Sequence, residues 1–357
     1  MPNDGASDLR LDRTAATPLY RQIYEQFREA IRAGELGAGA CLPSIRVIQK
    51  RHGVAPESIK RALDELAADG LVRKVQGKGV FVLPAAPASR FWGVVVPFYA
   101  EFYNNMIVEL RRVAERHGTS IEHACDYDDG DRQLAIVRDY AWRGAEAILV
   151  VPTRDEPRTL APLLKEARTR PVVLLDRTSI ASQLPYVVQD YILGVRMLVQ
   201  RLAEAGARRI GYVRDPLWTT GNLTYQTMEQ AYEQACEDLP EGYVRVWNSP
   251  YDLTAAELAD PTFDGLLCVS DSIACIATGL LREHGIDVPG RVQVAGYNNS
   301  DVGRFFTPQI TTTDPDLERM CALVADIVRR YAAREPVENL QYVRIPRVLE
   351  RGTTRTM

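Results

Sequence analysis

The chain has 357 residues, of which 46% are hydrophobic and 25% are charged, and its formal net charge is −4. These values are ordinary for a soluble globular protein, and the length allows two or three packed domains. They exclude a membrane-spanning chain, because no stretch approaches the roughly 18 uninterrupted apolar residues that a transmembrane helix needs.

The N-terminus and the cysteines bear on location and on cofactors. The opening stretch MPNDGASDLRLDR is polar and mixed in charge, which is untypical of a signal peptide or an anchor. The six cysteines are scattered, without a C-x-x-C pair or an accompanying His spacing. We therefore expect a cytoplasmic protein with reduced thiols, no disulfide framework, no metal site and no cofactor.

Three helices are predicted first along the chain. Each begins at a capping residue or at a proline in its first turn, and each ends at a glycine. Apolar residues recur at helical spacing within all three. Their predicted limits are Thr17–Pro18 to Gly34, Ser44 to Gly53, and Pro56 to Gly70. The short glycine-containing link HGVA between the second and third is typical of a helix-turn-helix.

The stretch VQGKGVFV, residues 75–82, has a glycine-rich loop that could be a phosphate-binding loop. A P-loop needs Ser or Thr after its lysine, but Gly79 follows Lys78; the dinucleotide fingerprint needs a third glycine where Val82 stands. Both also need a following helix, whereas β-type residues and Pro84 follow here. We interpret the loop as the tip of a β-hairpin, which completes a winged helix-turn-helix.

The charge distribution indicates a polyanionic partner for these residues. Residues 1–84 contain 13 Lys and Arg against 10 Asp and Glu, which leaves 30 against 37 for the rest of the chain. The outward face of the third helix can lie in the major groove of DNA, the alternative being a merely solvated polar face. That face consists of Glu57, Ser58, Lys60, Arg61 and Asp64.

The segments PLYRQIYEQFREAIRAGEL, LPSIR, GVAPESIKRALDELAADGLV and QGKGVFV resemble the N-terminal domain of the GntR family of bacterial transcription regulators. The resemblance covers residues 17–83, called the head below, and implies double-stranded operator DNA as the partner. It also implies DNA contacts by the LPSxR segment, by the third helix and by the wing tip. Those roles fall on Ser44, Arg46, Glu57, Ser58, Lys60, Gln76, Gly77 and Lys78.

A Pro/Ala-rich linker, residues 84–90, precedes a different pattern, in which short apolar runs alternate with amphipathic segments. The runs are FWGVVV, AEAILVV, PVVLLD, RIGYV, GLLCV and VQVAGY. Such runs predict parallel strands buried on both faces, and their number favours two Rossmann-like lobes with a cleft between them. The predicted fold class is thus α/β, with a winged helix-turn-helix at the N-terminus.

Ligands of parallel α/β sheets bind at the carboxyl ends of the strands, where this chain has polar and aromatic residues. Carboxylates, an arginine and flat rings around a cleft suit a sugar, because its hydroxyls need donors and acceptors and its apolar face packs on rings. The candidate ligand residues are Phe102, Tyr103, Asp176, Arg177, Asp190, Arg214, Trp218, Ser270, Asp271 and Asn298. Taken singly these assignments are weak, since Asp271 could simply cap the helix after it.

Residues 91–351, called the body below, resemble the LacI/GalR effector domains and periplasmic sugar-binding proteins. The resemblance rests on VVLLDR, VVQDYILGVRMLVQRLAEAGARRIGYV, VSDSIACIATGLLREHGIDVPGRVQVAGYNNSD and TPQITTTDPDLERM. It implies ligand contacts by Phe102, Tyr103, Asp176, Arg177, Asp271 and Asn298. In two respects the chain departs from this family: no arginine lies between Arg214 and Arg245, and Asn298 replaces the usual Asp.

A GntR head on a LacI-type body is the architecture of the arabinose-repressor class, and it implies a repressor that works as a homodimer. The expected domains are an N-terminal tail 1–16, the head 17–83, the linker 84–90 and the body 91–351. Within the body we expect one lobe from residues 91–180 and 315–338 and the other from residues 186–312 and 341–351.

Three alternatives remain from the sequence. Some GntR-headed proteins are enzymes that use pyridoxal phosphate, but the body's single lysine, Lys165, lies inside the amphipathic run APLLKEAR rather than at a strand end. We therefore expect no enzyme. The body could bind a purine or an amino acid derivative instead of a sugar, or it could have lost its ligand and serve for dimerisation.

Overall fold

The computed structural model describes residues 9–15, 17–83, 90–153, 157–177, 183–216, 223–337 and 340–356. The chain forms two compact units. One contains the described residues up to Phe91 together with Leu134–Glu146, and the other contains Trp92–Gln133 and the described residues from Ala147 onward. In the part of the chain that the structure describes, none of the helices combines the length and apolar character that a membrane crossing needs.

The head is a winged helix-turn-helix, as the sequence predicted. Its elements are α1 (Leu19–Arg32), α2 (Ile45–His52), α3 (Pro56–Ala68) and an antiparallel hairpin of β1 (Val72–Val75) and β2 (Gly79–Val82). The buried faces of the three helices and the hairpin form one core, which includes Ile23, Phe27, Ile48, Leu63 and Leu66. Helix α1 begins one residue later than we expected, because Pro18 is extended and stands before the helix as its N-cap.

Local contacts set the ends of α2 and the wing tip. The Ser44 hydroxyl accepts a hydrogen bond from the Val47 N–H at 3.4 Å, and Gly53 ends α2 in the left-handed conformation. In the hairpin, the Lys78 N–H donates to the Val75 carbonyl at 3.0 Å. Gly77 and Gly79 have φ values of 73° and 125°, which residues with a Cβ rarely adopt.

Residues 9–15, which we expected to be part of a tail, are attached to the head. Two glutamines on α1 each make paired hydrogen bonds with their backbone. Gln26 pairs with the N–H and C=O of Arg10, both at 2.8 Å, and Gln22 pairs with those of Asp12 at 2.9 and 2.8 Å. Leu9 is buried in the core of the head, and Arg13 donates to the carbonyls of His52 and Gly53.

The first lobe of the body is built on a six-stranded sheet of order β13-β7-β6-β5-β3-β4. Strands β3, β5 and β6 are buried along their whole length, as expected for parallel strands covered on both faces. In chain order the strands are β3 (Phe91–Val96), β4 (Ser120–Cys125), β5 (Ala147–Val150), β6 (Val172–Leu175), β7 (Tyr186–Gln189) and β13 (Gln341–Arg344), and the helices are α4 (Glu101–Arg116), α5 (Gly130–Trp142), α6 (Pro157–Glu166) and α12 (Leu317–Ala332).

The second lobe is built on a four-stranded parallel sheet of order β11-β10-β8-β9, with a separate antiparallel pair, β12 and β14. Its strands are β8 (Ile210–Val213), β9 (Val246–Trp247), β10 (Gly265–Cys268), β11 (Gln293–Ala295), β12 (Thr312–Asp314) and β14 (Arg347–Leu349). Its helices are α7 (Tyr191–Glu204), α8 (Leu223–Glu237), α9 (Ala255–Ala259), α10 (Asp271–Glu283) and α11 (Asp301–Phe305).

The limits of the lobes differ from those we expected. Residues 186–189 and 341–344, which we assigned to the second lobe, pair with each other in the sheet of the first lobe, where residues 186–189 also pair with β6. The chain therefore changes lobe after β7, not before it. The body also continues beyond residue 351: Thr353 is fully buried, and its carbonyl accepts a hydrogen bond from the Val294 N–H at 2.9 Å.

Candidate nucleic-acid groove and ligand cleft

A groove with a volume of about 780 Å³ lies in the head between the start of α2, the face of α3 and the wing. Basic side chains from α2, α3 and the wing tip, those of Arg46, Lys60 and Lys78, line it together with apolar residues. Six of the eight predicted DNA-contacting residues line it: Ser44, Arg46, Lys60, Gln76, Gly77 and Lys78. All six are exposed.

Two of the outward side chains of α3 contact other residues of the head. Arg61 lies over the Tyr20 ring, 3.7 Å from its centroid, and its Nη2 donates to the Tyr20 hydroxyl at 3.0 Å. Asp64 forms an ion pair with Lys74 of β1. These two residues thus hold α3 against α1 and the wing.

Two of the predicted contacts lie outside the groove, and one basic residue of the groove was missed. Glu57 is exposed and Ser58 is half-buried in the first turn of α3, but neither lines the groove. Lys74, which we did not single out, does line it. Side chains two residues apart lie on the same face of a strand, so Lys74 shares the face of Val72. This alternation could have identified Lys74 as a groove residue.

A cleft with a volume of about 260 Å³ lies between the two lobes of the body. Seven of the ten predicted ligand residues line it: Phe102, Tyr103, Asp176, Arg177, Ser270, Asp271 and Asn298. The elements that contribute them are the start of α4, the end of β6, the start of α10 and the loop after β11. The structure therefore brings these seven candidates together at one cleft, and that they bind a ligand stays a prediction.

Asp176 connects the two lobes at the bottom of the cleft. It is buried, and its backbone is left-handed, with φ 59°. The Tyr103 hydroxyl of the first lobe donates to it at 2.8 Å, and the Tyr191 hydroxyl, at the start of α7, donates to its other oxygen. Burial raises the pKa of Asp176, although the hydrogen bonds from Tyr191 and Tyr103 act in the opposite direction.

Gln189 and Asn298 form a second polar link between the lobes. The Gln189 Nε2 donates to the Asn298 Oδ1 at 3.0 Å and to the Tyr191 hydroxyl at 2.9 Å. Asn298 also has a positive φ of 85°, a conformation that asparagine tolerates better than most residues. In the family that the body resembles, an Asp is usual at this position. The amide of Asn298 can accept the hydrogen bond from Gln189 without adding a charge to the cleft.

Arg177 is held by the first lobe. Its Nη1 donates to the Asp128 Oδ1 at 2.9 Å and to the Pro152 carbonyl at 3.3 Å, and only 5% of its side chain is exposed. The nearest carboxylate therefore already offsets its charge.

Asp271 lies at the start of α10, fully buried. Its Oδ2 accepts from the Ser300 N–H at 2.5 Å, while its Oδ1 has no hydrogen-bond partner among the described residues. A Cβ on Gly296 would come 2.2 Å from this oxygen, so only glycine fits beside it. Burial raises the pKa of Asp271 to about 7. The helix cap that we considered for Asp271 is provided by Ser270, whose hydroxyl accepts from the Ile273 N–H at 3.4 Å.

Of the remaining three predicted ligand residues, two are described and do not line the cleft. Asp190 caps α7, with its Oδ1 accepting from the Leu193 N–H at 2.9 Å. Arg214 forms an ion pair with Glu229 and donates to the Asn248 Oδ1 at 2.6 Å. Trp218 lies outside the described residues.

Several lining residues were missed from the sequence: Glu101, Tyr191, Asp215, Tyr225 and Tyr297. Tyr191 directly follows a predicted strand-end residue and could have been found by extending that rule by one position. Tyr225 lies near the start of α8, the helix on which we noted the missing arginine. This helix thus contributes an aromatic side chain to the lining of the cleft.

Comparison with known proteins identifies both parts of the chain. Residues 19–82 match the family model of bacterial regulatory proteins of the gntR family, and residues 199–354 match a periplasmic binding protein-like domain. The arabinose metabolism transcriptional repressor of Geobacillus stearothermophilus is 19% identical over 95% of this chain and 98% of its own length.

Other relatives match smaller parts. An uncharacterized HTH-type transcriptional regulator of Streptomyces limosus is 28% identical over 57% of this chain, which spans 59% of that protein. The HTH-type transcriptional regulator GalR of Salmonella typhimurium strain SL1344 is 23% identical over 76% of this chain and 81% of its own length.

Solved structures share the fold of the body. The transcription regulator GntR from Chromobacterium violaceum superposes with a TM-score of 0.64 at 19% identity, over 74% of this chain and 99% of that one. A periplasmic binding protein/LacI transcriptional regulator from Alkaliphilus metalliredigens, complexed with D-xylulofuranose, gives a TM-score of 0.60 at 19% identity, over 75% and 100%. The chain therefore consists of a GntR-type helix-turn-helix domain followed by a periplasmic-binding-protein-like domain, with LacI/GalR-type regulators and an arabinose repressor among its homologues.

Proposed function

We propose that this protein is a bacterial transcription regulator whose head binds operator DNA and whose cleft binds a sugar that controls the affinity for DNA. The observation that carries this proposal is the presence, on one chain, of a basic groove in a GntR-type head and a polar, aromatic cleft in a LacI-type body. The homologues named above are transcription regulators, and we assign no enzymatic role.

The groove supports DNA as the partner of the head. Lys60 comes from α3, the helix that in a helix-turn-helix lies in the major groove, and Arg46 comes from the start of α2 in the same groove of the head. Arginine and lysine are the side chains that pair with guanine in the major groove. Lys78 at the wing tip provides a charge for a phosphate, and Gly77 lets the backbone approach the sugar-phosphate chain. We therefore propose base contacts for Arg46 and Lys60 and backbone contacts for the wing.

The cleft supports a sugar as the ligand. Its described lining combines hydroxyls, carboxylates and one amide with the rings of Phe98, Phe102, Tyr225 and Tyr297. Hydroxyls of a sugar need such donors and acceptors, and the rings can cover its apolar face. A structural neighbour of the body was solved with D-xylulofuranose, and an arabinose repressor is among the relatives.

We further propose that the protein is a repressor that acts as a homodimer in the cytoplasm, where its operator is found. A single winged helix makes few phosphate contacts, so two heads on two half-sites are needed for useful affinity. The body would provide the dimer contact.

The test combines DNA selection with ligand screening. Full-length protein is used to select sequences from a random duplex library, and the enriched duplex is then titrated by fluorescence anisotropy with and without a panel of monosaccharides. We expect a specific, roughly palindromic site whose affinity changes with one sugar. Failure to enrich any sequence would contradict the role of the head. An effect of a purine or an amino acid derivative but of no sugar would contradict the assigned ligand class.

A further inference from the structure

The described lining of the cleft is acidic. Four carboxylates line the cavity, Glu101, Asp176, Asp215 and Asp271, against one guanidinium, that of Arg177. The four come from both lobes: α4 and the end of β6 in the first, and the end of β8 and the start of α10 in the second. A ligand between the lobes is therefore surrounded by carboxylates on both sides.

The guanidinium does not balance these carboxylates. Arg177 is bonded at 2.9 Å to Asp128, which does not line the cavity, so its positive charge is offset from behind. Its Nη1 is also bonded to a carbonyl, and its side chain is 95% shielded from solvent by the surrounding protein. Arg177 can still donate a hydrogen bond to a ligand, but the net field in the cleft favours positive over negative charge.

Two of the carboxylates, Asp176 and Asp271, are buried. Burial raises the pKa of both, that of Asp271 to about 7, but each acts more strongly than a surface carboxylate when it is ionised. Asp176 accepts hydrogen bonds from two tyrosines, which help to keep it ionised. Asp271 has one oxygen without a hydrogen-bond partner among the described residues, so neither a donor nor a cation in the described part of the chain contacts that oxygen. Bringing a phosphate or a carboxylate next to these groups would place like charges together in a medium of low dielectric constant.

The volume of the cleft and its aromatic rings restrict the class of possible ligands further. A volume of about 260 Å³ is below the roughly 300 Å³ at which pockets for drug-sized ligands begin, so it fits a single sugar ring rather than an oligosaccharide or a nucleotide. Tyrosine and phenylalanine faces attract cations as well as the C–H faces of sugars. An acidic, aromatic lining thus tolerates an ammonium group.

We propose that the cleft selects an uncharged or amino-bearing monosaccharide and excludes sugar phosphates and sugar acids. This inference rests on the proposed sugar-binding function and adds the charge class of the ligand, which decides whether the protein senses a free sugar or its phosphorylated product. The exclusion comes from Asp176, Asp215, Asp271 and Glu101 together.

The experiment uses matched ligand sets with full-length protein. For glucose, galactose and mannose, each set consists of the parent aldose, its 2-amino derivative, its uronic acid and its 6-phosphate. For arabinose, xylose and ribose, each set consists of the parent sugar and its 5-phosphate. Isothermal titration calorimetry is run at pH 7.5 for every member. We expect that in each set that binds, the anionic members bind at least tenfold more weakly than the parent or the amino member.

Two variants connect this selectivity to the named carboxylates. Asp215→Asn and Glu101→Gln remove one charge each with little change in shape, and each is expected to reduce the ratio between parent and anionic affinity several-fold. The control is Asp260→Asn, whose carboxylate is 93% exposed and does not line the cavity; it should leave the ratio unchanged. Circular dichroism confirms that each variant is folded.

The outcomes separate this inference from the function on which it rests. If a sugar phosphate or a uronic acid binds more tightly than its parent, the charge inference is wrong while the sugar-binding function stands. If the ratio in Asp215→Asn and Glu101→Gln equals that of wild type, the lining carboxylates are not the cause and the inference is equally overturned. If no member of any set binds, the proposed sugar function itself fails and this inference with it.

Discussion

At the scale of single residues, Asp176 is the side chain on which the cleft depends most. It accepts from tyrosines of both lobes, so its removal would leave the hydroxyls of Tyr103 and Tyr191 without this acceptor. We expect Asp176→Ala to abolish the ligand response, with a loss of at least tenfold in ligand affinity, and to leave operator affinity without ligand nearly intact. Calorimetry and fluorescence anisotropy measure the two properties, and Asp260→Ala is the exposed control. Normal ligand binding by Asp176→Ala would show that this network is not part of the site.

Asp271 predicts a dependence of stability on pH. Burial raises its pKa from 3.8 to about 7, so the folded protein binds this proton more tightly than the unfolded chain. The stabilisation is complete below about pH 4 and is lost as the pH rises through 7. At about 1.4 kcal/mol per pKa unit, the whole effect is a few kcal/mol at most.

The variant Asp271→Asn, which cannot titrate, isolates this effect. We expect the difference in melting temperature, variant minus wild type, to become more positive between pH 5 and pH 8. The control Asp260→Asn should show no such trend. A difference that stays constant or falls over this range would mean that Asp271 titrates as an ordinary carboxylate.

Seven of the residues that line the cleft could be predicted from the sequence, but their partners could not. Asp176, Arg177 and Asp271 follow apolar runs, and the carboxyl ends of parallel strands meet at one edge of a sheet. Asp128, which neutralises Arg177, lies in a loop 49 residues away in the chain. No local pattern connects residues so far apart. The same holds for Glu229, whose ion pair keeps Arg214 elsewhere.

At the scale of elements, α3 and the wing are expected to make different contributions to DNA binding. Lys60→Ala, on α3, should cost about 1–3 kcal/mol on the selected operator and relax the preference at one position. Lys78→Ala, at the wing tip, should weaken all duplexes alike and reduce the slope of the salt dependence by about one. Anisotropy titrations at several salt concentrations on specific and random duplexes measure both. A changed operator preference in Lys78→Ala would contradict backbone contact by the wing.

The elements that were easy to predict are those whose burial is uniform. Strands β3, β5, β6, β8 and β10 are buried throughout and appear in the sequence as unbroken apolar runs. Strands β4 and β13 lie at the two edges of the first sheet, and their mixed exposure leaves no such run. The lobe to which β7 and β13 belong depends on long-range strand pairing, which the local pattern does not contain.

At the scale of the whole molecule, the proposed regulator works only if ligand binding in the cleft changes the arrangement of the two lobes. The hydrogen bonds of Tyr191 to Asp176 and of Gln189 to Asn298 already connect the lobes in the described structure. A ligand that contacts Asp176 and Arg177 on one side and Asp271 on the other adds further contacts of this kind. Each tenfold difference in affinity between two arrangements shifts their equilibrium by about 1.4 kcal/mol.

A homodimer is the form in which such a shift could reach two half-sites of DNA. We expect sedimentation velocity at micromolar concentration to show that the free protein is a dimer. The complex with DNA is expected to contain two protein chains for each duplex. A monomer that binds DNA through single heads would contradict this part of the proposal.

The central claim is that the cleft and the groove are coupled, and one titration tests it most directly. Operator affinity of the full-length protein is measured by fluorescence anisotropy with and without a saturating concentration of the sugar that calorimetry shows to bind. We predict that the sugar changes the dissociation constant for the operator at least tenfold in wild type and leaves it unchanged in Asp176→Ala. An operator affinity that stays the same in wild type, while calorimetry confirms that the cleft is occupied, would contradict the account.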